Sequence, residues 1–451
     1  MTLHSLLFGD PDVDAHLSDA ARVQAMLDVE VALAEAEAQA DVIPAAAVTS
    51  IRQAARAERF DLSALAREAA EAGNLAIPLV RQLRAIVGDI DSEAANHVHV
   101  GATSQDIIDT SLVLQLKGAL PPCLAQIRRA TEAAAAHARR HRRTPMAGRT
   151  LLQQATPITF GLKAAGWLEA LERGRVSLQA NADRAFVLQF GGASGTLAAL
   201  GPAAPVVSTQ LGARLALPVP ALAWHSHRDR LAAFGCGLGV LAGTFGKIAR
   251  DLTLLSQTEV GEVLEAPRPG RGGSSSMPHK HNPVSAAVAV AAAVRAPGLV
   301  STLLAAMPQE HERGLGGWQA EWDVLPELMR LTGGAARAIA EALDHLVVDD
   351  SRMAASLELT HGLILAEAVV VRLARDLGRL NARTIVDDAC RRAAAAKRLL
   401  ADVLMDDPRV AAILAPDAIR ECLTPAAYLG QAEAFVDRVL TEWDRSRAGH
   451  A

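Results

Sequence analysis

The chain has 451 residues, of which half are apolar but only 3% are aromatic. Ala, Leu and Val supply most of the apolar residues, which is typical of close-packed helices rather than of a β-sandwich. The 45 Lys and Arg and the 50 Asp and Glu give a formal net charge of −5, so the chain has no general attraction to polyanions and nucleic acid is not an expected partner.

The sequence gives no sign of a metal site, a disulfide framework or a membrane span. Its four cysteines are far apart and lack the spacing of a tetrahedral metal site. The first residues contain neither the basic segment nor the long apolar segment of a secretory signal. The uncharged run 231–246 is shorter than the roughly 20 residues that a bilayer requires. We therefore expect a cytoplasmic protein that uses no metal, cofactor or membrane.

The N-terminal part of the chain is predicted to be a small helical domain, residues 1–100. Ser18 is suited to be the N-cap of a long amphipathic helix, which Pro44 interrupts. Shorter helices are predicted at 45–58, 61–72 and 77–87.

Beyond residue 100, very long Ala- and Leu-rich segments predict a bundle of five helices. They lie at about 103–142, 156–187, 226–257, 283–303 and 324–345. Several carry too few charges for all of their surface except one apolar stripe to face water, so a single bundle would leave apolar faces uncovered and we expect oligomerisation to cover them. Shorter helices are predicted at roughly 350–358, 362–378, 382–403 and 425–446. The predicted fold is all-α, with helical domains at 1–100, 101–345 and 346–451.

Residues 270–283, GRGGSSSMPHKHNP, interrupt two strongly helical regions. Glycines let backbone N–H groups come close to a ligand, and the serine hydroxyls, Lys280 and Asn282 offer donors for carboxylate oxygens. The alternative is a solvated linker, but linkers rarely hold Met277 and Pro278 beside a lysine among glycines. The pattern therefore predicts an anion-binding loop.

This loop resembles the GSSxMPxKxNP signature of the fumarase/aspartase superfamily, which includes argininosuccinate and adenylosuccinate lyases, and every fixed position matches. Two further superfamily regions follow the expected order, VHVGATSQDIIDTS at 98–111 and GRTLLQQATP at 148–157. The segments LQFGGASGTLAALG at 188–201 and MPQEHERGLGGWQAEW at 307–322 make the chain most similar to the bacterial 3-carboxy-cis,cis-muconate cycloisomerases.

The resemblance implies a homotetramer with a central helical core, in which each active site is assembled from three subunits. It places Ser274 at the catalytic serine position, and Lys280 and Asn282 at positions that hold substrate carboxylates. The remaining substrate-binding positions that it implies are Thr103, Ser104, Gln105, Thr150 and Gln153.

One departure from the superfamily pattern bears on the reaction. Lyases that expel an amine or water commonly have a histidine directly after the threonine of the third region, whereas here Thr150 is followed by Leu151. An amine must be protonated as it leaves, but a carboxylate leaves as a stable anion and needs less help from a general acid. The missing imidazole therefore disfavours adenylosuccinate or argininosuccinate cleavage and is compatible with lactone chemistry.

The implied reaction belongs to the breakdown of aromatic compounds through protocatechuate. One carboxylate of 3-carboxy-cis,cis-muconate would add to a double bond, with Ser274 passing a proton to the α carbon, and the loop donors would stabilise an aci-carboxylate dianion. Leu151 and Gln154 stand where an aromatic residue and a histidine are expected. This difference either indicates a sulfonated muconate as the substrate or is a tolerated change. A fumarate-releasing lyase of the same fold and a non-catalytic helical protein that kept the scaffold also remain open.

Four further features have both a functional and a structural interpretation. His99 either faces substrate or is a satisfied structural group, and Arg313 either binds a substrate carboxylate or joins an ion-pair network. The spacing of His225 and His227 suits no helical metal pair, so we interpret them as the start of a long helix. The basic cluster 137–143 either draws a tricarboxylate toward the site or is a solvated helix end that complements the helix dipole, and we favour the second interpretation.

Overall fold

The computed structural model describes residues 4–268, 270–274 and 276–448. The chain divides into two compact units. The first comprises Met1–Ile127, Arg173–Gly246 and Val288–Ala338, and the second comprises Arg128–Glu172, Lys247–Ala287 and Ile339–Ala451. The division into domains at 1–100, 101–345 and 346–451 remains a prediction.

Five helices of 23 to 37 residues confirm the all-α prediction, and each unit contains part of every one. They are Ser104–Arg140, Phe160–Ala185, Asp229–Leu255, Val284–Ala306 and Gly317–Asp344. The second begins four residues after its predicted start because residues 153–159 form a strand. The fifth begins seven residues before its predicted start, directly after Gly316, which has a φ of 88°.

In the first unit, the N-terminal helices follow the predicted pattern. Ser18 caps Asp19–Gln39 by accepting a hydrogen bond from the backbone N–H of Ala21. Met26 and Leu27 of this helix are buried in one core with Leu79 and Leu83. The other α-helices here are Ser5–Phe8, Pro11–His16, Ala45–Ala54, Leu62–Ala72, Ala76–Ile90 and Ala204–Leu215, with 3₁₀ turns at Ala57–Arg59, Ala94–His97 and Ala198–Ala203.

In the second unit, short C-terminal helices pack around their own apolar core, which includes Val369, Leu373, Val386 and Leu400. These helices are Asp350–Glu358, Ala366–Leu377, Arg379–Ala396, Leu400–Met405, Pro408–Ala411, Pro416–Cys422 and Ala432–Ala448, with 3₁₀ turns at Leu363–Leu365 and Pro425–Tyr428. Two small antiparallel sheets that the sequence did not predict complete the unit. One pairs Pro145–Thr150 with Gln153–Thr159, and the other pairs Val263–Glu265 with Leu346–Val348.

Two of the long helices expose apolar surface. Asp229–Leu255 and Val284–Ala306 are both long and apolar enough to cross a bilayer, although the uncharged run within the first is too short by itself. In the most apolar stretch of Val284–Ala306, only 28% of the residues are buried within the chain, and the side chains of Val240 and Val294 are about two-thirds exposed. Apolar helix faces of this kind mark surfaces that another molecule covers.

Candidate active site

In the first unit, the carboxylate of Asp106 joins two of the motif segments, residues 98–111 and residues 188–201. It accepts a hydrogen bond from the backbone N–H of Thr103 at 3.1 Å, at the start of the long helix. It also accepts the backbone N–H groups of Gly191 and Gly192 at 3.0 and 2.9 Å. A side chain at Gly192 would lie 2.9 Å from the carbonyl oxygen of Gly101, so only glycine allows this approach. Asp106 therefore fixes the glycine-rich loop against the turn that carries the predicted binding residues.

His225 is a further donor to the Asp106 carboxylate, with its Nε2 2.7 Å from Oδ1. The interpretation of His225 and His227 as the start of a helix is wrong, because that helix begins at Asp229. The preceding segment is held in a non-helical conformation by Trp224, whose indole N–H donates to a backbone carbonyl at position 188. His225 is buried whereas His227 is exposed.

Gln105 and Arg313, which the sequence places 208 positions apart, meet in the first unit. The Arg313 Nε donates to the Gln105 Oε1 at 3.0 Å, and an Nη donates to the carbonyl of Ala193. Gln105 Nε2 donates in turn to Asp109 and to the carbonyl of His225. Within the part of the chain that the structure describes, Arg313 pairs with no carboxylate, so its positive charge remains available to an anionic ligand.

Behind Gln105 lies a buried ion cluster that sequence reasoning missed. Arg228 donates to Asp109 at 2.7 Å and to Glu321 at 2.6 Å, and all three side chains are almost fully buried. Burial raises the pKa of Glu321, and the Arg228 charge opposes that shift. Gln309 also donates to Glu321, so the segment that bears Arg313 is anchored to this cluster.

His99 is paired with Glu30, a residue outside every motif. The imidazole Nδ1 lies 2.6 Å from the Glu30 Oε1, and the carboxylate side chain is 1% exposed. Burial alone would lower the pKa of His99, but the Glu30 carboxylate more than compensates and raises it above the ordinary value. Glu30 and Glu37 are buried polar residues in a helix whose other buried residues are apolar, but nothing in the local sequence identified His99 as the partner of Glu30.

In the second unit, the third superfamily-like region forms a β-hairpin with Leu151 and Leu152 at its tip. Both leucines have a left-handed backbone, with φ of 49° and 62°, and their side chains are 96% and 74% exposed. Thr150 and Gln153 are paired opposite each other beside the tip and are exposed. The hairpin thus presents a hydroxyl and an amide around an apolar tip that carries no imidazole.

The residues next to the tip are anchored on the body of the second unit. Arg149 forms a two-pronged ion pair with the buried Glu262, at 2.9 and 2.7 Å. Gln154 donates from its Nε2 to the carbonyl of Ser356 at 2.8 Å. Glutamine at this position therefore has a structural partner for its Nε2, whereas its buried Oε1 has no partner among the described residues.

The loop 270–283 is held closed at its base. The backbone N–H of Asn282 donates to the carbonyl of Gly272 at 2.8 Å, and Gly273 and His281 form an antiparallel bridge. Arg271 donates to the hydroxyl of Ser285 at 2.7 Å. The loop therefore presents its outer residues on a fixed stem.

Ser274 stands directly beyond this stem, and two backbone N–H groups point at its hydroxyl oxygen. Met277 N lies 3.1 Å from the Ser274 Oγ and Ser276 N lies 3.4 Å from it. Amide donors aimed at one oxygen stabilise negative charge there. Lys280 is exposed, and its ammonium group has no partner among the described residues.

The predicted site residues fall into two sets. The first unit contains His99, Thr103, Ser104, Gln105 and Arg313, whereas the second contains Thr150, Gln153, Ser274, Lys280 and Asn282. The hydroxyls of Thr103 and Ser104 make no hydrogen bond within the described residues. Among the residues that the structure describes, no group of three or more His, Cys, Asp and Glu side chains could hold a metal ion.

Comparisons with known proteins agree with these motifs. A family model described as lyase matches residues 11–298, and one described as adenylosuccinate lyase C-terminus matches residues 362–439. The chain belongs to this lyase family, within the fumarase/aspartase superfamily. The resemblance of the three motif regions is therefore confirmed, as is the all-α fold.

Three members of the family are similar over nearly their full length. The 3-carboxy-cis,cis-muconate cycloisomerase of Pseudomonas aeruginosa is 54% identical over 95% of this chain and 93% of its own. That of Bradyrhizobium diazoefficiens is 49% identical over 96% of both chains. The crystal structure of the 3-carboxy-cis,cis-muconate lactonizing enzyme from Pseudomonas putida superposes with a TM-score of 0.94 at 48% identity, covering 98% of this chain and 99% of that one.

Proposed function

We propose that the protein is a cycloisomerase that converts 3-carboxy-cis,cis-muconate to a carboxymuconolactone in the breakdown of aromatic compounds. The 54% identity to the P. aeruginosa cycloisomerase over 95% of the chain carries the proposal. A carboxylate oxygen of the substrate attacks the carbon β to another carboxylate. The π electrons move toward that carboxylate, and the α carbon then takes up a proton. The proton comes from the enzyme and is replaced from solvent, and with this proton the atoms and electrons balance, so the reaction needs no oxidant or reductant.

Ser274 is proposed to deliver the proton. A serine hydroxyl is a weak acid unless its environment stabilises the alkoxide. The N–H groups of Ser276 and Met277 point at the Ser274 oxygen and supply part of that stabilisation. Lys280 and Asn282, on the same loop, are proposed to bind substrate carboxylates and the negative charge that develops in the transition state.

The first unit is proposed to bind the other carboxylates of the substrate. Thr103 and Ser104 offer hydroxyl donors, and Arg313 offers a guanidinium that no acidic side chain among the described residues neutralises. The amide of Gln105 already has protein partners on both its oxygen and its nitrogen. We therefore assign Gln105 the task of orienting Arg313.

The hairpin tip favours a carboxylate over an amine as the leaving group of the reverse reaction. Thr150 and Gln153 are proposed to contact substrate beside Leu151, which is fully exposed and cannot donate a proton. A carboxylate leaves as a stable anion, so the reaction does not require a proton donor at position 151. This supports the cycloisomerase over a fumarate-releasing lyase of the adenylosuccinate type.

We further propose that the protein is a cytoplasmic homotetramer whose active sites are shared between subunits. The exposed apolar faces of Asp229–Leu255 and Val284–Ala306 support burial against other copies of the chain. The four cysteines are unpaired, which suits a reducing compartment. Neither nucleic acid nor a membrane is a proposed partner.

The experiment is a spectrophotometric assay with 3-carboxy-cis,cis-muconate that follows loss of the conjugated diene. Wild type is compared with Ser274→Ala and with a control, Ser63→Ala, which removes an exposed hydroxyl from the helix Leu62–Ala72 in the first unit. Loss of activity in Ser274→Ala alone, with lactone as the wild-type product, supports the proposal. Full activity of Ser274→Ala in an intact oligomer contradicts the role of the serine.

If the wild type does not react with 3-carboxy-cis,cis-muconate, the proposed substrate is wrong. The sulfonated muconate is then the next substrate to assay, because a sulfonate keeps the negative charge of the carboxylate that it replaces. If neither muconate reacts, the alternative of a fumarate-releasing lyase is favoured. An assay for fumarate released from adenylosuccinate or argininosuccinate would then test it.

A further inference from the structure

Glu30 is a buried carboxylate that lies outside all of the motif regions. We propose that Glu30 is a positioning residue that orients His99 so that the imidazole Nε2 donates a hydrogen bond to a substrate carboxylate. The inference rests on the proposed function, which supplies a polycarboxylate substrate. It adds to that function a residue more than sixty positions away from the turn that it serves.

The geometry fixes which nitrogen of His99 faces Glu30. A carboxylate only accepts hydrogen bonds, so the Nδ1 that lies 2.6 Å from the Glu30 Oε1 carries a hydrogen. In a neutral imidazole the Nε2 is then an acceptor, which would repel a substrate carboxylate. Only the imidazolium presents an Nε2–H donor. Glu30 thus orients the ring and also determines whether its outer nitrogen can bind an anion.

The backbone around His99 is fixed as well. His99 has a φ of 62°, in the left-handed region, which is uncommon for a residue with a side chain. Arg84 donates to the carbonyl of Val98 at 3.0 Å and so holds the preceding peptide. A strained backbone that its surroundings hold in place is typical of functional sites. His99 precedes the hydroxyl residues Thr103 and Ser104 by one short turn.

Charged groups from three helices face His99. Glu30 lies on Asp19–Gln39, Arg84 on Ala76–Ile90, and Asp106 on Ser104–Arg140. Burial and Arg84 lower the pKa of His99, whereas Glu30 and Asp106 raise it, and the balance lies above the ordinary value. Glu30 is the only one of these groups that hydrogen-bonds to the ring, so its removal should change the protonation of His99 most.

Among the described side chains, Glu30 hydrogen-bonds only to His99. Its second oxygen, Oε2, is buried and has no hydrogen-bond partner in the part of the chain that the structure describes. A buried carboxylate with one partner contributes little to stability, because desolvation offsets most of the attraction. A carboxylate in this position is better explained by what it does to His99 than by its effect on the fold.

The same helix provides a matched control. Glu37 lies two helical turns after Glu30 and is fully buried, and neither of its carboxylate oxygens has a partner in the described residues. Burial, with a contribution from the Glu30 carboxylate, raises the pKa of Glu37 to about 9. At neutral pH it is therefore protonated, so Glu37→Gln changes no charge, whereas Glu30→Gln removes the negative charge that faces His99.

The test measures kcat and KM for 3-carboxy-cis,cis-muconate at about pH 6 and about pH 8, on either side of the ordinary imidazole pKa. In Glu30→Gln, KM is expected to rise roughly tenfold at the higher pH and by less at the lower pH, because the fraction of His99 that is charged increases as the pH falls. The imidazole NMR signal of His99 should titrate at lower pH than in wild type. Glu37→Gln should match wild type in all three measurements.

An equal KM for Glu30→Gln and wild type at both pH values overturns the inference, and so does an equal rise at both. His99→Gln should show a raised KM that does not depend on pH. If Glu30→Gln does not fold, Glu30→Asp keeps the charge but withdraws it from the ring, and an unchanged KM in that variant also overturns the inference. Absence of wild-type turnover is a different result, since it contradicts the proposed function itself.

Discussion

The Nε2 of His225 lies 2.7 Å from the Oδ1 of Asp106, and both side chains are almost excluded from solvent although 119 positions separate them. The same carboxylate accepts three backbone N–H groups, from Thr103, Gly191 and Gly192. Four donors on one buried carboxylate form a rigid junction, because removal of the acceptor leaves all four unpaired. This junction holds together two motif segments of the first unit, residues 98–111 and residues 188–201.

Asp106→Asn is therefore expected to lower both stability and activity. The amide keeps only one acceptor oxygen, and its NH₂ group faces donors, so we expect a loss of about 2–4 kcal/mol in the free energy of unfolding. Urea unfolding followed by circular dichroism measures this loss. The control is Asp323→Asn, whose side chain is 95% exposed and should change stability by less than about 0.5 kcal/mol. Equal stability of the two variants would contradict the stabilising role of the Asp106 carboxylate.

The hairpin tip leads to a prediction in which stability and activity change in opposite directions. Replacing Leu151 and Leu152 by Asn and Gly supplies the residues that a left-handed two-residue turn prefers. Left-handed backbone costs an ordinary residue about 1–2 kcal/mol, so the variant should be more stable by a similar amount. Activity toward the muconate should fall, because the apolar side chains beside Thr150 and Gln153 are lost.

Thermal unfolding and the diene assay together test the tip. The control replaces exposed Leu222, which lies far from the hairpin in sequence and in the first unit, by Asn. It should change neither property appreciably. A more stable tip variant with full activity would show that the two leucines have no part in the reaction.

The hairpin also illustrates where the sequence was insufficient. Hairpins are recognised by Asn-Gly or Asp-Gly turns, and a Leu-Leu pair carries no such signal, so residues 145–159 were not predicted as strands. The five long helices were predicted because a regular apolar period over more than 20 residues is unambiguous. Glu30 and His99 are 69 positions apart in the sequence, and no local spacing can reveal a pair of this kind. Motif resemblance located the loops but not the buried partners that hold them.

Gln105 and Arg313 yield a prediction about coupling. Arg313→Lys keeps the charge but loses the fork that reaches both the Gln105 amide and the Ala193 carbonyl, so KM should rise about tenfold with little change in stability. If Gln105 acts by orienting Arg313, Gln105→Ala should raise KM in wild type and add little in the Arg313→Lys background. Kinetics of the two single variants and the double variant measure this coupling. Additive effects would mean that Gln105 contacts substrate directly.

Glu37 makes the stability of the protein depend on pH. Its pKa is about 9 in the folded chain and about 4.5 in the unfolded chain, so the folded state binds the proton more tightly. Its contribution is then fully present below about pH 4.5 and is progressively lost as the pH rises toward 9. At pH 7 the wild type must take up a proton on folding, and Glu37→Gln removes that cost, which is on the order of 3 kcal/mol. Urea unfolding should show Glu37→Gln more stable than wild type at about pH 8 and close to it at about pH 5. The same stability difference at both pH values would mean that Glu37 does not hold its proton in the folded state.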